Sequence, residues 1–239
     1  MIGRVLWLVI LIAVAGVCVS VQLDRQSRKD PELARYVPEP LRSSAQRIVA
    51  VNTVAVGTPE AGLAEARKLV ERRPMPAEHL LLLTQAQVNA GKAEAGTITV
   101  QYAAQRGWRN PVAQQAMLQI ALEVGDAAQA ARRYTALFMI PRTEEELLKQ
   151  YGAQVLGEPG SEARAVVAEI VSGAERWHST FLRRGARVMP PDAFAEIIRI
   201  NIDKGVRFEC RRLEQAVGTL SSRDAVAGES LRRLTEGQC

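Results

Sequence analysis

The chain has 239 residues, a formal net charge of +5 and an apolar fraction of 47%, of which aromatics make up only 5% of the chain. Alanine therefore does much of the apolar work, which suits close helix packing and argues against a β-sandwich. Acidic residues are interleaved with basic ones, a mixed surface that lacks the footprint of a nucleic-acid binder.

From Val5 to Leu23 no residue is charged, and only Ser20 and Gln22 interrupt the apolar character near the end. A helix over this stretch spans roughly 28 Å, close to the ~30 Å hydrocarbon core of a bilayer. The pattern predicts a transmembrane signal-anchor over residues 1–23, with Arg4 and Asp24-Arg25 at its ends and Trp7 near one interface. A cleaved secretory signal competes with this reading, with Val5 to Ile12 as core and Ala13-Val14-Ala15 as cleavage site. Val17 before Cys18 speaks against a lipoprotein signal, and Cys18 reads as a small hydrophobe. Arg25, Arg28 and Lys29 just after the segment favour a cytoplasmic domain. The C-terminal cysteines favour an oxidising compartment, so the domain is expected on the extracytoplasmic side.

Residues 24–40 are rich in charge and contain Pro31, Pro38 and Pro40, which reads as a juxtamembrane linker with one short helical turn at Glu32 to Tyr36. Gly57, Gly91 and Gly125 follow at a spacing of 34 residues, each after an apolar helical run and before an alanine-rich one. A fixed period of this length marks stacked helix-turn-helix units. The first pair is expected at Leu41 to Val56 and from Pro59 to Arg73, with Thr58 as N-cap. The second is expected at Ala77 to Ala90 and Ala93 to Arg106. The third runs from Pro111, capped by Asn110, to Val124, and from the Asp126 cap to Ile140. The register continues imperfectly through Glu144 to Leu156, a turn at Gly160, and a helix from the Ser161 cap to Ser172. Seventeen residues after Gly57, Gly91 and Gly160 stand Pro74, Trp108 and Trp177, whereas Arg142 holds the place after Gly125.

On these features residues 41–177 resemble the tetratricopeptide repeat family. The period, the turn glycines, the small residue five positions later (Gly62, Gly96, Ala130, Ala165) and Pro74 carry the resemblance. The aromatic usual later in the second helix survives only as Tyr134, with Ala66 and Val100 in its place elsewhere, and the first-helix aromatics are missing. The resemblance implies a right-handed α-solenoid of about three and a half to four units whose concave face binds a protein partner. A closed helical bundle, or a generic α-solenoid without a binding groove, is the alternative packing. The expected fold is therefore all-α, with the anchor, the repeats and a helical cap.

Beyond Trp177 the period fails, and residues 178–239 are expected to cap the last apolar face of the repeats. Helices are expected over Arg176 to Val188, over Ala193 to Asp203 with Asp192 as cap, over Phe208 to Leu220 and over Ser222 to Leu234. Cys210 and Cys239 form a candidate disulfide that would contribute about 3–4 kcal/mol by chain-entropy arithmetic. Two free thiols are the alternative.

Catalytic chemistry finds little purchase. His79 and His178 have no partner at catalytic or metal spacing, and there is no nucleophile elbow, phosphate loop or zinc motif. No cofactor or metal ligand set is expected. Glu144, Glu145 and Glu146 open a helix, where acidic residues suit the macrodipole. The arginine pairs (Arg72-Arg73, Arg132-Arg133, Arg183-Arg184, Arg211-Arg212, Arg232-Arg233) read as solvated helix faces that could meet acidic lipid or anionic polysaccharide. The expected function is a non-catalytic scaffold at the cell envelope, holding an unidentified protein partner through Gln87, Gln114 and Gln115 on the concave face. The alternative is an accessory component of envelope polysaccharide synthesis or export that contacts an anionic glycan.

Overall fold

The structure, a computed structural model, describes residues 2–239. Among the described residues it is all-α, with thirteen α-helices, three short 3-10 helices and no strand. The chain forms two compact units, residues 1–107 and 108–239. The boundary falls at Gly107, inside the stretch that carries the repeat pattern.

The first unit contains α1 (Ile2–Gln26), α2 (Ser44–Val56), α3 (Pro59–Arg72), α4 (Ala77–Asn89) and α5 (Ala93–Arg106). α1 is long and apolar enough to cross a membrane, and its apolar side chains, from Ile2 to Val21, stand exposed. The segment after it is packed. Asp30 caps a 3-10 helix at Pro31–Tyr36, and a second follows at Glu39–Leu41. Ala34 and Val37 are buried against Ala45, with Leu23, Leu41, Ile48 and Val49 around them. Prolines and charges here pin a small apolar plug.

α2 pairs with α3 and α4 with α5, and α3 packs on α4. Small residues set the approach within each pair. A Cβ on Gly62 would lie 3.1 Å from the Val54 Cα, and one on Gly96 would lie 3.2 Å from a Val88 methyl.

The second unit contains α6 (Pro111–Glu123), α7 (Ala127–Met139), α8 (Glu145–Leu156), α9 (Glu162–Ser172), α10 (His178–Val188), α11 (Pro191–Asp203), α12 (Cys210–Arg223) and α13 (Ala225–Thr235). α6 and α7 form a third helix pair, but α8 and α9 share only a small contact. α9 instead lies on α7 and α11, α10 lies on α12, and α12 pairs with α13. One continuous core runs through the unit, with Tyr134, Phe138, Phe181 and Phe194 fully buried within it. The rings of Phe181 and Phe194 are 5.2 Å apart.

The turns explain how far the period reaches. Gly91 and Gly125 adopt the left-handed conformation at φ 71° and 72°. The next residue in each case, Lys92 or Asp126, donates its N–H to the carbonyl five positions back, Gln87 or Ala121. This is the Schellman closure, in which glycine avoids the steric cost of the left-handed region. Gly205 repeats it at φ 82°, with Val206 donating to Asn201. Gly57 differs: its φ is −85°, and a Cβ there would sit 2.6 Å from the Thr53 carbonyl oxygen. Gly62, Gly96 and Ala130 are buried, whereas the fourth equivalent, Ala165, is exposed. The helix after Gly160 is thus turned relative to its counterparts. The helix expected from Ala193 begins earlier: Pro190 is its N-cap and Asp192 lies in the first turn. That corrects the reading of Asp192 as a cap, since Pro191 already supplies a helical φ at the first position.

Candidate functional site

Of the three expected concave-face amides, Gln87 and Gln114 are drawn into the interior and Gln115 is half-buried. Gln114 is fully buried and accepts a hydrogen bond from Arg133 Nη1 at 3.2 Å. Gln87 is buried, and half-buried Gln115 donates to the Tyr151 hydroxyl at 3.2 Å. Both histidines sit at helix ends. His79 Nδ1 lies 2.9 Å from the Arg73 carbonyl after α3, and His178 Nε2 lies 3.0 Å from the Val171 carbonyl in α9. Cys210 and Cys239 are joined as a disulfide with Cα atoms 5.6 Å apart, while Cys18 is free and exposed on α1.

Arg184 and Arg72, expected on solvated faces, bind backbone carbonyls instead, and Arg223 and Arg164 do the same. Arg184 is buried, and its Nη1 donates to the carbonyls of Phe138 (2.5 Å) and Ile140 (2.8 Å), while its Nη2 donates to that of Thr143. These acceptors include the orphan carbonyls at the end of α7, where the helix dipole favours a cation. Burial pulls the Arg184 pKa below its usual value, against the charge of Glu145. Arg223 donates to Ala186 (2.6 Å) and Met189 (3.1 Å) at the end of α10. Fully buried Arg164 donates through Nε to Leu156 at the end of α8 and pairs with Asp192 (2.6 Å) and Glu196 (2.5 Å). In the first unit Arg72 Nη1 donates to the Arg42 carbonyl and to Gln46 Oε1. Burial also pushes the Tyr134 phenol up, so it stays protonated.

What the inward arginines leave outside is a groove. Arg183 and Arg187 from α10, and Arg212, Gln215, Thr219 and Ser222 from α12, line an open depression of about 560 Å³. Arg187 pairs with Glu145 at 2.7 Å, and Arg212 Nε approaches Glu209 at 3.5 Å. Gly218 lies on the same face, where a Cβ would meet nothing within 4 Å. α10 and α12 together hold six arginines and one glutamate, a balance of +5 that equals the net charge of the whole chain. The rest of the chain is therefore electrically balanced. Sequence reading noted the arginine pairs but not this concentration, because α10 and α12 become neighbours only on packing.

Among the described residues, no three His, Cys, Asp or Glu side chains converge as metal ligands. No protein-family model matches the chain, and no curated protein is significantly similar to it.

Proposed function

We propose that the chain is a membrane-tethered, non-catalytic helical-repeat scaffold of the cell envelope, tetratricopeptide-like in its helix pairs. The observation that carries this reading is the junction of α1 with α2. An exposed apolar helix of 25 residues is joined to the first helix pair by a packed segment of two 3-10 helices. Such a surface is stable in lipid and unstable in water. A domain seated directly on its anchor can present a partner at a set height above the bilayer. The period of 34 residues and the shared turn geometry at Gly91 and Gly125 support the repeat assignment. The Cys210–Cys239 disulfide supports an extracytoplasmic domain.

The test uses the full-length chain in its own membranes. Retention in the membrane after alkaline carbonate washing, activity of a compartment-sensitive reporter fused after Cys239, and crosslinked capture of a specific membrane protein are the expected results. Release by carbonate would remove the tether, and absence of any specific crosslinked protein would remove the scaffold. The second reading, an accessory role in envelope polysaccharide synthesis or export, is favoured by one observation, the concentration of charge on α10 and α12.

A further inference from the structure

We infer that the groove between α10 and α12 is the docking site for an acidic peptide segment of a partner protein, held through glutamate and aspartate carboxylates. This deepens the scaffold reading and rests on it. Charge is the first argument. The formal net charge of the chain sums to these two packed helices; Arg184 and Arg223 turn inward onto backbone carbonyls, and Arg183, Arg187 and Arg212 bring positive charge to the groove. A basic patch of this kind concentrates anionic partners and speeds their encounter.

Carboxylate is the chemistry already present at the rim. Glu145 occupies Arg187 and Glu209 leans on Arg212, so glutamate side chains fit these guanidinium forks. Among the described residues no carboxylate is paired with exposed Arg183. A second set of donors, Gln215, Thr219 and Ser222, follows the same face of α12. These can meet main-chain carbonyls of an extended segment.

Gly218 is an independent observation. Glycine is the worst helix former after proline, so a glycine inside a helix needs a reason. The other glycines inside the helices of this unit have one. A Cβ would lie 3.0 Å from the Tyr134 hydroxyl at Gly152, 2.7 Å from the Phe194 ring at Gly185 and 2.5 Å from the Ser221 Cα at Gly228. At Gly218 it would meet nothing within 4 Å. Nothing within the chain requires glycine there, so the open space is kept for something outside it. Gly218 also borders the neighbouring depression formed with α13, lined by Leu213, Val217 and Cys239. A segment crossing α12 at this point passes from the basic groove to a mixed one, where Glu214, Arg232 and Glu236 stand beside the apolar side chains.

The lining disfavours a sugar. No aromatic ring lines the basic groove, so a pyranose face would find no stacking partner, whereas a peptide needs none.

The experiment measures fluorescence anisotropy of labelled poly-L-glutamate with the full-length chain in detergent. Polygalacturonate and inorganic phosphate serve as competitors. Poly-L-glutamate is expected to bind, with affinity falling as salt rises. The double variant Arg183→Gln/Arg212→Gln and the variant Gly218→Leu are each expected to weaken binding about tenfold or more, as loss of a charged grip or a filled groove would. Gly218→Leu retains every charge and improves helix propensity, so an unchanged melting curve separates blocked docking from lost folding. Arg132→Gln, on α7, is the control and stays within about twofold of the parent. Unchanged affinity in Gly218→Leu and in the arginine variant would overturn the proposal. So would binding of polygalacturonate that poly-L-glutamate does not displace, which would make the groove a glycan site. Failure of the underlying reading looks different: poly-L-glutamate binds at the groove, yet no membrane protein is crosslinked. Conversely, a specific crosslinked partner whose capture ignores Gly218→Leu keeps the scaffold and removes the groove.

Discussion

The carboxylate of Asp24, at the end of the apolar helix α1, accepts a hydrogen bond from the backbone N–H of Ala45 in α2, 2.9 Å away. The same carboxylate accepts from the N–H groups of Ser43 (2.8 Å) and Ser44 (3.0 Å). Ser43, the residue at the cap position, makes no side-chain bond of its own. Asp24 therefore caps α2 from another helix, satisfying orphan N–H groups and placing a negative charge at the positive end of the dipole. Arg28 Nε donates to the Ser44 hydroxyl at 2.7 Å and closes the same junction.

Replacing Asp24 by Ala is expected to cost the first unit about 2 kcal/mol, the upper end of the range for a lost cap, because Asp24 is buried. Asn retains the acceptor and recovers part of it. The unit should melt earlier, and trypsin should cut faster at Arg28 and Lys29. A cleavage rate equal to that of the parent would mean that the junction is held by the Ala34–Val37–Ala45 plug alone.

The adjacent arginines of α10 separate two roles. Arg184→Met removes a donor from three buried carbonyls, of which that of Ile140 keeps the Thr143 N–H, and is expected to destabilise the second unit by about 3 kcal/mol. Arg184→Lys should not restore it, since one ammonium cannot reproduce the fork. Arg183→Met should leave the melting temperature unchanged. Equal effects of the two would refute the division.

Turn glycines that look alike in sequence should respond differently to asparagine. At Gly91, φ is 71° and a Cβ has open space, so Asn, which tolerates the left-handed region, is expected to cost well under about 1 kcal/mol. At Gly57 the Cβ would collide with the Thr53 carbonyl whatever the side chain, so Asn and Ala should both destabilise. Thermal unfolding of the two Asn variants decides this.

Glu65 links the first unit to pH. Burial pushes its carboxyl up, but hydrogen bonds from Gln46 and Lys68, with the charges of Lys68 and Arg42, prevail and hold it below the usual value. A carboxyl lowered on folding stabilises the fold above the ordinary carboxylate range, and that contribution is lost as pH falls through the folded value. Glu65→Gln should be less stable than the parent at neutral pH. The difference should shrink below about pH 4.5. A difference that stays constant with pH would exclude the ion.

The Cys210–Cys239 bridge closes the loop that carries α12 and α13, and Gln238 Nε2 donates to the Val206 carbonyl at 2.7 Å beside it. Reduction, or Cys239→Ser, is expected to lower the stability of the second unit by about 3–4 kcal/mol. A melting temperature that reductant does not change would show that the thiols are free in the native chain.

What was legible in the sequence is what neighbours along the chain decide. Thr58, Asn110, Asp126 and Ser161 cap their helices by bonding an N–H three residues ahead. Gly91 and Gly125 end helices because a left-handed residue is needed there, and the apolar run of α1 declares itself by length. These are short-range requirements, so the order of residues was enough. The fourth turn misled because Gly160 keeps the left-handed conformation while the helix after it turns a different face inward.

Tertiary structure decided the rest. Nothing in the local pattern marks Arg184 as the inward member of its pair or joins Asp24 to Ala45, because a helix end accepts any side chain that packing brings to it. Nor did composition bring Arg183, Arg187 and Arg212 to one groove. α10 and α12 lie in separate stretches of sequence, and only their packing sets Arg183 and Arg187 beside Arg212.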